Sequence, residues 1–507
     1  MDEYGSQSDV VAFLRDPATH GLSDDVQVIT THSAHVFLAG DRAYKIKRPV
    51  KFNYLDFTAL ATRAEIIAHE LELNAPAAPM IYDRVVVITR EADGRLAMDG
   101  AGEPAEYALA MHRFERENEL THIADAGDFT VALAEKLGEA VAAFHAKAPR
   151  RDPDGGELIR EILDELEEAF EGMETVLGHD RLAGFSERSE AAFALVAALL
   201  TERSRQGFVR RCHGDLHLKN IVMIEGRPVP FDALEFDERL GTTDVFYDFA
   251  FLVMDLLHRG LAAPANALMG RYLARTGDVE GLAALPLFLG VRAAIRGMVA
   301  VQTMSGEVAD GLALEARGYL DDAIGFLAPG RARLVAIGGV SGTGKTSAAA
   351  RIAPGLGPAP GALHLRSDLE RKAMFAVDPL EPLPQEAYEK PVSDEVYRRL
   401  LDQAGRALDA GHAVILDATF LDPAERAAAQ ELARAHGVAF DGLWLDADRG
   451  TLERRVAARE NDASDADVSV LRLQLEKQPV AGDWARIEAG DSLENTVSRA
   501  RAALDRG

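Results

Sequence analysis

The order of apolar and polar positions predicts a β-rich segment early in the chain. Alternating positions over 26–48 form a hairpin pattern with its turn at Gly40-Asp41, and the last predicted strand, Ala43–Lys47, ends before Pro49. A helical stretch follows over about residues 58–73, and a second β pattern covers 84–89. These elements predict a small β lobe.

The next part of the chain is mainly helical by periodicity. Residues 129–147 and 157–205 are rich in Ala, Leu and Glu at helical spacing, and helices resume up to about Phe326. Between them, a polar loop at 211–220 leads into a short hairpin with its turn at Glu225-Gly226-Arg227. We therefore predict a small β lobe followed by a larger helical lobe over residues 1–326, an α+β arrangement.

Strands and helices alternate after a linker at 327–332 that contains Pro and Gly. Predicted strands lie at 334–337, 413–416 and 443–445, and a predicted helix covers 345–352. This alternation is typical of a mostly parallel sheet covered by helices on both faces. The sequence therefore predicts a separate α/β domain over residues 333–507.

Length and composition agree with two globular domains. A chain of 507 residues is too long for one hydrophobic core, and its 48% hydrophobic and 27% charged residues are usual for a soluble protein. Apolar stretches at 246–257 and 282–291 are short or interrupted by Asp, so we expect no membrane span. The acidic start is unlike a signal peptide, and one cysteine, Cys212, leaves no internal disulfide. We expect a cytoplasmic protein.

Most of the formal net charge of −27 falls before residue 331. Such a field disfavours non-specific nucleic-acid binding and attracts cationic small molecules. The chain also has no basic stripe with interleaved aromatic residues, so no nucleic-acid partner is expected. Acidity that only keeps the protein soluble is the plainer interpretation, and it stays open beside a steering role.

The sharpest motif in the chain is a phosphate-binding loop. Its residues follow an apolar strand, open a helix and fit G-x-x-x-x-G-K-[ST]: Gly339, Val340, Ser341, Gly342, Thr343, Gly344, Lys345 and Thr346. Glycines let successive N–H groups point at phosphate oxygens, Lys345 reaches the terminal phosphates, and the Thr346 hydroxyl is a ligand for Mg²⁺. A chance Gly-rich turn is the alternative. The context predicts ATP binding.

Other polar residues of this domain fit phosphoryl transfer. Asp417 closes the strand 413–416, where a carboxylate can hold Mg²⁺ or its water shell, and Asp368 can take a proton from an acceptor hydroxyl. Arg455 and Arg459 lie four apart beside Arg454 on a predicted helix, so they share a face, as a lid over a transferring phosphate requires. A solvated surface helix is the alternative interpretation of these arginines.

Residues 331–507 resemble the small P-loop kinases that include gluconate, shikimate and chloramphenicol kinases and the zeta-toxin group. The resemblance rests on four elements: the phosphate loop, the segment Ser367–Arg371, the segment Leu416-Asp-Ala-Thr-Phe with Arg426 downstream, and the R-x-x-x-R pattern followed by Asp-Ala-Ser-Asp-Ala. It implies phosphoryl transfer to the hydroxyl of a small molecule, without naming the acceptor.

A second set of polar residues lies in the first domain. The loop Arg211–Asn220 places Asp215 five residues before Asn220, and Asp232 follows the next hairpin. In two-lobed kinases an aspartate at this spacing accepts the hydroxyl proton, while Asn and Asp residues hold Mg²⁺ on the nucleotide phosphates. Upstream, a strand lysine should meet the phosphates and pair with a helix glutamate. The candidates are Lys45 or Lys47 on the strand, and Glu70 or, less favoured, Glu65 on the helix.

Three other interpretations of these residues stay open. His213, Asp215 and His217 alternate as strand residues on one face do, and such a set suits Zn²⁺ or Fe. The loop can also be a structural turn. Lys45 and Lys47, taken alone, are typical surface lysines; only the order of lysine, glutamate, loop aspartate, asparagine and hairpin aspartate favours a nucleotide site.

Residues of about 30–260 resemble the aminoglycoside phosphotransferase and choline kinase superfamily. The match is the loop H-G-D-x-H-x-x-N, present here as His213-Gly-Asp-Leu-His-Leu-Lys-Asn220. The resemblance implies a protein-kinase-like fold, ATP and Mg²⁺ as cofactors, and an Asp248 that braces the catalytic loop. The Mg²⁺ aspartate departs from the family's I-D-[FW] context, because it reads Phe231-Asp232-Ala. The family serves aminoglycoside, choline, homoserine and sugar acceptors, so it does not identify the substrate.

The order of the two parts also resembles bacterial proteins in which an aminoglycoside-phosphotransferase-like domain is fused to an ATP-binding domain. We therefore predict a bifunctional ATP-dependent phosphotransferase for small-molecule hydroxyl groups. Two alternatives belong to other classes. The N-terminal part can be a non-catalytic, ligand-binding regulator of the P-loop kinase, or the C-terminal domain can phosphorylate polynucleotide ends, against which the acidic balance argues.

Overall fold

The computed structural model describes residues 7–52, 55–304, 309–459, 463–477 and 481–506. Contacts divide the chain into two compact units. The first consists of the described residues of Met1–Phe129, Ala140–Leu158 and Thr201–Leu252. The second consists of those of Thr130–Glu139, Ile159–Leu200 and Val253–Gly507.

The first unit contains an antiparallel sheet of six strands in the order β1-β2-β3-β8-β6-β7. Its strands, with the small pair β4 and β5, are β1 Gln27–Thr30, β2 Ala34–Ala39, β3 Arg42–Lys47, β4 Lys51–Phe52, β5 Leu55–Asp56, β6 Tyr82–Arg90, β7 Leu96–Met98 and β8 Glu103–His112. Helix α1, Ser8–Arg15, contributes to the core on one face of the sheet, while α2, Leu60–Asn74, contributes to the core that contains Leu109 of β8. The predicted hairpin at 26–48 is therefore present as β1 to β3.

The helical region that follows has short strands between its helices. Its elements are α3 Leu120–Asp125, α4 Val131–Lys147, α5 Gly155–Phe170, α6 Glu174–Leu177, α7 His179–Arg205, β9 Val209–Arg211, β10 Ile221–Ile224, β11 Arg227–Pro230, α8 Glu238–Gly241, β12 Thr242–Asp244, α9 Val245–His258, α10 Ala262–Thr276, α11 Leu285–Gln302 and α12 Ala309–Phe326. The helical pattern predicted over 157–205 is interrupted after Phe170 and at Gly178, whose φ of +90° does not continue a helix.

Helix α11 is the one helix among the described residues that is long and apolar enough to cross a membrane by length and composition. Its 18-residue window has a mean hydropathy of 1.3, and 61% of that window is buried inside the protein. Gly297 of α11 lies close enough to α12 that an added Cβ would be 3.1 Å from the Ala316 carbonyl oxygen. Close packing on α12 is therefore a sufficient reason for the apolar character of α11.

The second unit contains a parallel sheet of five strands in the order β14-β15-β13-β16-β17. From Arg333 onward its elements are β13 Arg333–Gly338, α13 Lys345–Ile352, β14 Leu363–Arg366, α14 Ser367–Met374, α15 Lys390–Asp409, β15 Val414–Asp417, α16 Pro423–Ala435, β16 Ala439–Asp446, α17 Arg449–Ala457, α18 Val468–Glu476, β17 Ala485–Glu488 and α19 Leu493–Leu504. Central strand β13 is buried from Leu334 onward and is flanked by β15 and β16. The predicted parallel sheet is confirmed, and its carboxyl edge next to β13 is the position where such sheets bind ligands.

Candidate active sites

Lysines 45 and 47 of β3 point to the same face of the sheet because they are two residues apart. Lys45 Nζ lies 2.7 Å from Oε1 of Glu70 on α2, and Lys47 Nζ lies 2.6 Å from Oε2 of the same carboxylate. Glu70 is fully buried. The structure therefore brings together the predicted lysine and glutamate, and it adds Lys47 as a second cation on Glu70.

Each lysine also contacts a carboxylate from the segment after β11. Lys45 Nζ lies 2.6 Å from Asp232 Oδ1, and Lys47 Nζ lies 2.5 Å from Glu235 Oε1. The charges of Asp232 and Glu70 hold the pKa of Lys45 well above its usual range, although burial acts in the opposite direction. Lys45 is thus the lysine beside the predicted metal ligand, and Glu235 is a member of the site that the sequence interpretation did not include.

Backbone contacts fix Asp232 in an uncommon conformation, with φ at +62°. The Asp232 N–H donates to the Tyr82 hydroxyl at 2.9 Å, and the Ala233 N–H donates to Asn74 Oδ1 at 2.9 Å. Asn74 follows Glu70 by one helical turn on α2, so one face of this helix holds both the lysines and the Ala233 N–H next to Asp232. Non-glycine residues with positive φ are held by their surroundings and concentrate at functional sites.

Opposing effects act on the acids of this cluster. Burial would raise the pKa of Asp232, but the ammonium groups of Lys45 and Lys47 outweigh it, and the pKa lies below its usual value. Burial raises the pKa of Glu235, and Lys47 offsets this only in part. Asp232 is therefore an ionised carboxylate at neutral pH, as a ligand for a divalent cation has to be.

The loop after β9 places Asp215 beside Asn220. Asn220 Nδ2 donates to Asp215 Oδ2 at 2.9 Å and to the Asp215 carbonyl oxygen at 3.0 Å. The side-chain oxygen of Asn220 takes no part in these two bonds. His217 Nε2 lies 3.3 Å from Asp215 Oδ2. The Asp215 side chain is 38% exposed, so a substrate hydroxyl can reach it. Asn220 and Asp232 supply the hard oxygen donors that Mg²⁺ prefers.

Asp248 of α9 braces this loop, as the resemblance implied. Its Oδ1 accepts the Gly214 N–H at 2.9 Å, its Oδ2 accepts the His213 N–H at 3.2 Å, and the His145 ring lies 3.1 Å from the same Oδ2. His145, Cys212 and Asp248 form the one compact group of potential metal ligands among the described residues. The contacts with His145 and two loop amides make Asp248 a structural brace.

The alternative metal site at His213, Asp215 and His217 does not form within the described part of the chain. The His213 ring donates from Nε2 to the Phe231 carbonyl oxygen at 2.9 Å, and burial lowers the pKa of His213. A neutral, buried His213 therefore ties the catalytic loop to the β10–β11 hairpin. His217 packs against Phe251 with ring centroids 5.2 Å apart.

The phosphate loop of the second unit runs from the end of β13 into α13. Gly339 has a φ of +137°, and an added Cβ would lie 2.4 Å from the Leu445 carbonyl oxygen, so only glycine fits there. At Gly344, φ is +85° and an added Cβ would meet no atom within 4 Å. The open space at Gly344 is beside the N-terminus of α13, where partial positive charge favours an anion.

The hydroxyl and carboxylate predicted to hold Mg²⁺ meet beside this loop. Thr346 Oγ1 donates to Asp417 Oδ2 at 2.7 Å, and His364 Nε2 lies 3.2 Å from the same oxygen. Burial would raise the pKa of Asp417, but the hydrogen bond and charge of His364, together with Lys345, lower it to about 2. Asp417 is therefore ionised at all ordinary pH values. The sequence interpretation did not include His364.

Asp368 lies in the first turn of α14, directly after β14. Burial, followed by the negative charge of Asp417, raises the pKa of Asp368 above its ordinary value. The two carboxylates of this site thus have pKa values displaced in opposite directions. Such a difference is typical of one metal-binding acid and one acid that exchanges a proton.

Arg371 and Asp465 make further polar contacts beside α14 in the second unit. The Arg371 guanidinium lies 5.0 Å from the centroid of the Tyr388 ring, and burial lowers its pKa. Asp465 accepts from Lys372 at 2.8 Å and from the Tyr388 hydroxyl at 2.5 Å. These contacts connect α14, which carries Asp368, to the segment near Tyr388 and to the segment before α18.

The predicted arginine pair of the lid is arranged differently from expectation. Helix α17 ends at Ala457, where the Ala458 N–H bonds to the carbonyl oxygens of Arg454 and Val456, so Arg459 lies beyond the helix and does not share a helical face with Arg455. Arg455 donates to the carbonyl oxygens of Ala489 at 2.7 Å and Asp491 at 2.8 Å. Arg455 therefore ties α17 to the segment after β17, and the helical pairing of the two arginines was wrong.

Gln474 of α18 also belongs to the second site, because its Oε1 accepts the Ser341 N–H at 2.8 Å. Its sequence context, Leu-Arg-Leu-Gln-Leu, contains no motif that marks it. Lys345 Nζ lies 3.1 Å from the Val340 carbonyl oxygen, so the lysine also folds over the loop.

Comparison with known families finds one match in each half of the chain. Residues 69–285 match the model of the phosphotransferase enzyme family, and residues 334–479 match an AAA domain model. The first match contains Glu70, Asp215, Asn220 and Asp232, whereas Lys45 precedes it. The assignment of Lys45 therefore rests on its geometry.

Two uncharacterized proteins, one of Mycobacterium tuberculosis and one of Mycobacterium bovis, are similar to nearly the whole chain. Each is 28% identical over 495 residues, which are 95% of this chain and 96% of the relative. The order of the two domains is thus shared by these proteins.

Solved structures resemble each part separately. A choline/ethanolamine kinase family protein from Mesorhizobium loti is 14% identical, covers 64% of this chain and 99% of its own, and has a TM-score of 0.38. A sugar kinase from Janibacter is 24% identical, covers 34% of this chain and 95% of its own, and has a TM-score of 0.26. The two family matches carry the conclusion: this chain contains an aminoglycoside-phosphotransferase-like domain and a P-loop kinase domain.

Proposed function

We propose that this protein is a bifunctional ATP-dependent phosphotransferase, in which each domain transfers a phosphoryl group to a hydroxyl group of a small molecule. The observation that carries the proposal is the Gly344–Thr346 helix start, where open space, Lys345 and the Thr346–Asp417 pair converge at the carboxyl end of a central parallel strand. Such a site binds a nucleotide triphosphate with its cation.

In the first domain, Asp215 acts as the base that receives the proton of the attacking hydroxyl. Its carboxylate is oriented by the Asn220 amide at 2.9 Å and is exposed enough to meet an acceptor. Lys45, held by Glu70, binds nucleotide phosphate oxygens. Positioning and charge neutralisation then account for most of the rate, as is general for phosphoryl transfer.

In the second domain, Asp368 is the base on the acceptor side. Its raised pKa makes the carboxylate a better proton acceptor than an ordinary aspartate, and Asp417 remains ionised beside it. Lys345 neutralises charge on the terminal phosphates, and the loop N–H groups orient them. Arg371 lies on the same helix as Asp368 and helps to define which acceptor fits.

Both sites fit Mg²⁺ by the chemistry of their donors. In the first, the side-chain oxygen of Asn220 and the ionised Asp232 are hard oxygen ligands; in the second, the Thr346 hydroxyl and Asp417 are. Magnesium, when bound, neutralises charge on the bridging phosphate oxygens. Asn220 with Asp232, and Thr346 with Asp417, would hold the ion in the two sites.

The acidic first part of the chain favours cationic acceptors, such as amino sugars and amino alcohols, at the first site. The net charge of −27 falls mostly there, and a negative field raises the local concentration of cations. This preference is weakened by salt, so the KM for a cationic acceptor should rise with ionic strength while that for a neutral polyol stays constant.

The test is an acceptor screen with labelled ATP on the full chain. The panel contains amino sugars, amino alcohols, sugars, polyols and sugar acids, and the variants are Asp215→Asn and Lys345→Ala. Matched controls are Asp237→Asn, a half-buried helix cap, and Lys390→Ala, whose side chain is 77% exposed. We expect one class of acceptor to be lost only in Asp215→Asn and another only in Lys345→Ala.

Two outcomes would contradict the bifunctional assignment. Loss of all transfer in Lys345→Ala with full activity in Asp215→Asn would make the first domain a ligand-binding regulator of the second. Undiminished ATP binding by the second domain of Lys345→Ala would refute the phosphate-loop assignment itself.

A further inference from the structure

A side chain from outside the phosphate loop occupies one of the loop's N–H groups. The Ser341 N–H donates to Gln474 Oε1 at 2.8 Å, although the two residues are 133 positions apart. The N–H groups of such a loop are the groups that bind phosphate oxygens. Gln474 therefore presents an amide oxygen to one N–H group of a loop whose N–H groups are of the kind that bind phosphate.

The helix that carries Gln474 is packed on the same loop. Leu471 of α18 is fully buried in a core with Val340, Leu452 and Val456, and Val468, Leu475 and two further side chains pack at its border. Asp467 caps the first turn of α18 by accepting the N–H groups of Ser469 at 2.8 Å and Val470 at 2.9 Å. The helix that makes the contact with Ser341 is therefore held in place by its own packing and its N-terminal cap.

The loop leaves little room for another arrangement of this contact. An added Cβ at Gly342 would lie 2.9 Å from Val456 Cγ2 and 3.0 Å from the Leu452 carbonyl oxygen. Helix α17 thus packs against the loop from one side, and α18 reaches Ser341. By contrast, the position next to Gly344 is open. Gln474 therefore occupies the loop at Ser341, whereas the space beside Gly344, where α13 begins, is open.

We propose that Gln474 is a determinant of nucleotide affinity at the phosphate loop, because its side-chain oxygen and a phosphate oxygen compete for the Ser341 N–H. Binding of the triphosphate exchanges the one acceptor for the other and releases α18 from its polar contact with the loop. This proposal rests on the proposed function of the second domain. The position of α18 would then differ between the nucleotide-free and the nucleotide-bound loop.

The test measures ATP binding to the full chain by calorimetry, in a Lys45→Met background that weakens the first site. Gln474→Ala and Gln474→Met both remove the acceptor, and the methionine keeps the length of the side chain. We expect each to tighten ATP binding about 2- to 10-fold, the effect of losing one competing hydrogen bond. Gln474→Glu should weaken binding more than 10-fold, because a carboxylate is a stronger acceptor and repels phosphate.

The matched control is Gln430→Ala on α16, a glutamine that bonds to Asp483 at 3.0 Å. It should leave the affinity within twofold of the parent. Weaker ATP binding in Gln474→Met would show that Gln474 is a nucleotide ligand. An unchanged affinity in both Gln474→Ala and Gln474→Met would show that the contact does not affect ATP binding. Either result overturns the proposal. Failure of the proposed function is distinguishable, since ATP binding by the parent would then be absent or insensitive to Lys345→Ala.

Discussion

Lys47 lies 2.6 Å from Oε2 of Glu70, the buried carboxylate whose Oε1 is held by Lys45. One acid thus serves two lysines, and Glu235 provides the second partner of Lys47 at 2.5 Å. Lys47 is 1% exposed. This lysine therefore has a role inside the fold, which is to keep Glu70 in place while Lys45 faces Asp232.

Removal of Lys47 should be strongly destabilising. Lys47→Met leaves Glu235 without its buried cation, and breaking a buried pair from one side costs about 3–5 kcal/mol. The double variant Lys47→Met/Glu235→Gln should recover part of this loss, because no uncompensated charge remains there. Urea denaturation measures both. Lys51→Met is the control, since its ion pair with Asp56 is exposed and should matter little. A double variant as unstable as the sum of the singles would contradict the pairing.

Gly344→Ala and Gly411→Ala form a matched pair that separates folding from binding. Both glycines have positive φ, +85° and +75°, and in both an added Cβ meets no atom within 4 Å. Each substitution should therefore cost about 1–2 kcal/mol of stability from backbone strain. Only Gly344→Ala should abolish ATP binding, because its methyl group enters the space beside the helix start. Equal ATP affinity in the two variants, measured by calorimetry, would show that phosphates do not lie there.

Asp368→Asn should remove most phosphoryl transfer by the second domain while preserving ATP binding. Loss of a general base lowers the rate about 10²- to 10⁴-fold. In the parent, burial and the charge of Asp417 raise the pKa of Asp368, so the rate should fall as the pH decreases through a value above the ordinary 3.8. Steady-state rates across pH test this, with the exposed Asp378→Asn as control. A rate that is flat down to the ordinary value would argue against Asp368 as the base.

The local parts of both sites could be predicted from the sequence because their residues are contiguous. The phosphate loop is one short segment with fixed φ requirements, and the Asp215–Asn220 loop is another. The parallel sheet was also predictable, although β14 and β17 were not, because each has only four residues at an edge of the sheet. Short edge strands lack the continuous apolar run that marks a central strand.

Long-range partners were beyond what the sequence could show. Lys45 and Lys47 lie on the same face of one strand, so periodicity cannot tell which of them lies beside Asp232. The contact between Lys45 and Asp232, which are 187 positions apart in the chain, identifies Lys45. The partners Glu235 and Gln474 likewise lie 188 and 133 positions from the groups they bond. Helix α17 ends before Arg459, where the Ala458 N–H bonds to the carbonyl oxygens of Arg454 and Val456. The helix propensity of the residues there does not mark this end. Tertiary contacts, not local propensity, determine the partners of Lys45, Glu235 and Gln474.

His412 makes the stability of the second unit depend on pH. Its ring is 1% exposed and lies 2.8 Å from the Gly361 carbonyl oxygen, and burial lowers the pKa of His412 to about 4. Above pH 6.5 the ring is neutral in both the folded and the unfolded chain, so stability is full. Between 6.5 and 4 the unfolded chain binds a proton that the folded chain does not, and stability falls by about 3 kcal/mol.

Urea denaturation followed by the fluorescence of the buried Trp444 and Trp484 reports on this unit. Parent protein should lose stability steadily from pH 6.5 to 4. His412→Gln retains an N–H donor for Gly361 but does not titrate, so its loss over the same window should be smaller by about 3 kcal/mol. Identical slopes for the two proteins would mean that His412 is protonated equally in both states, which contradicts the lowering of its pKa by burial.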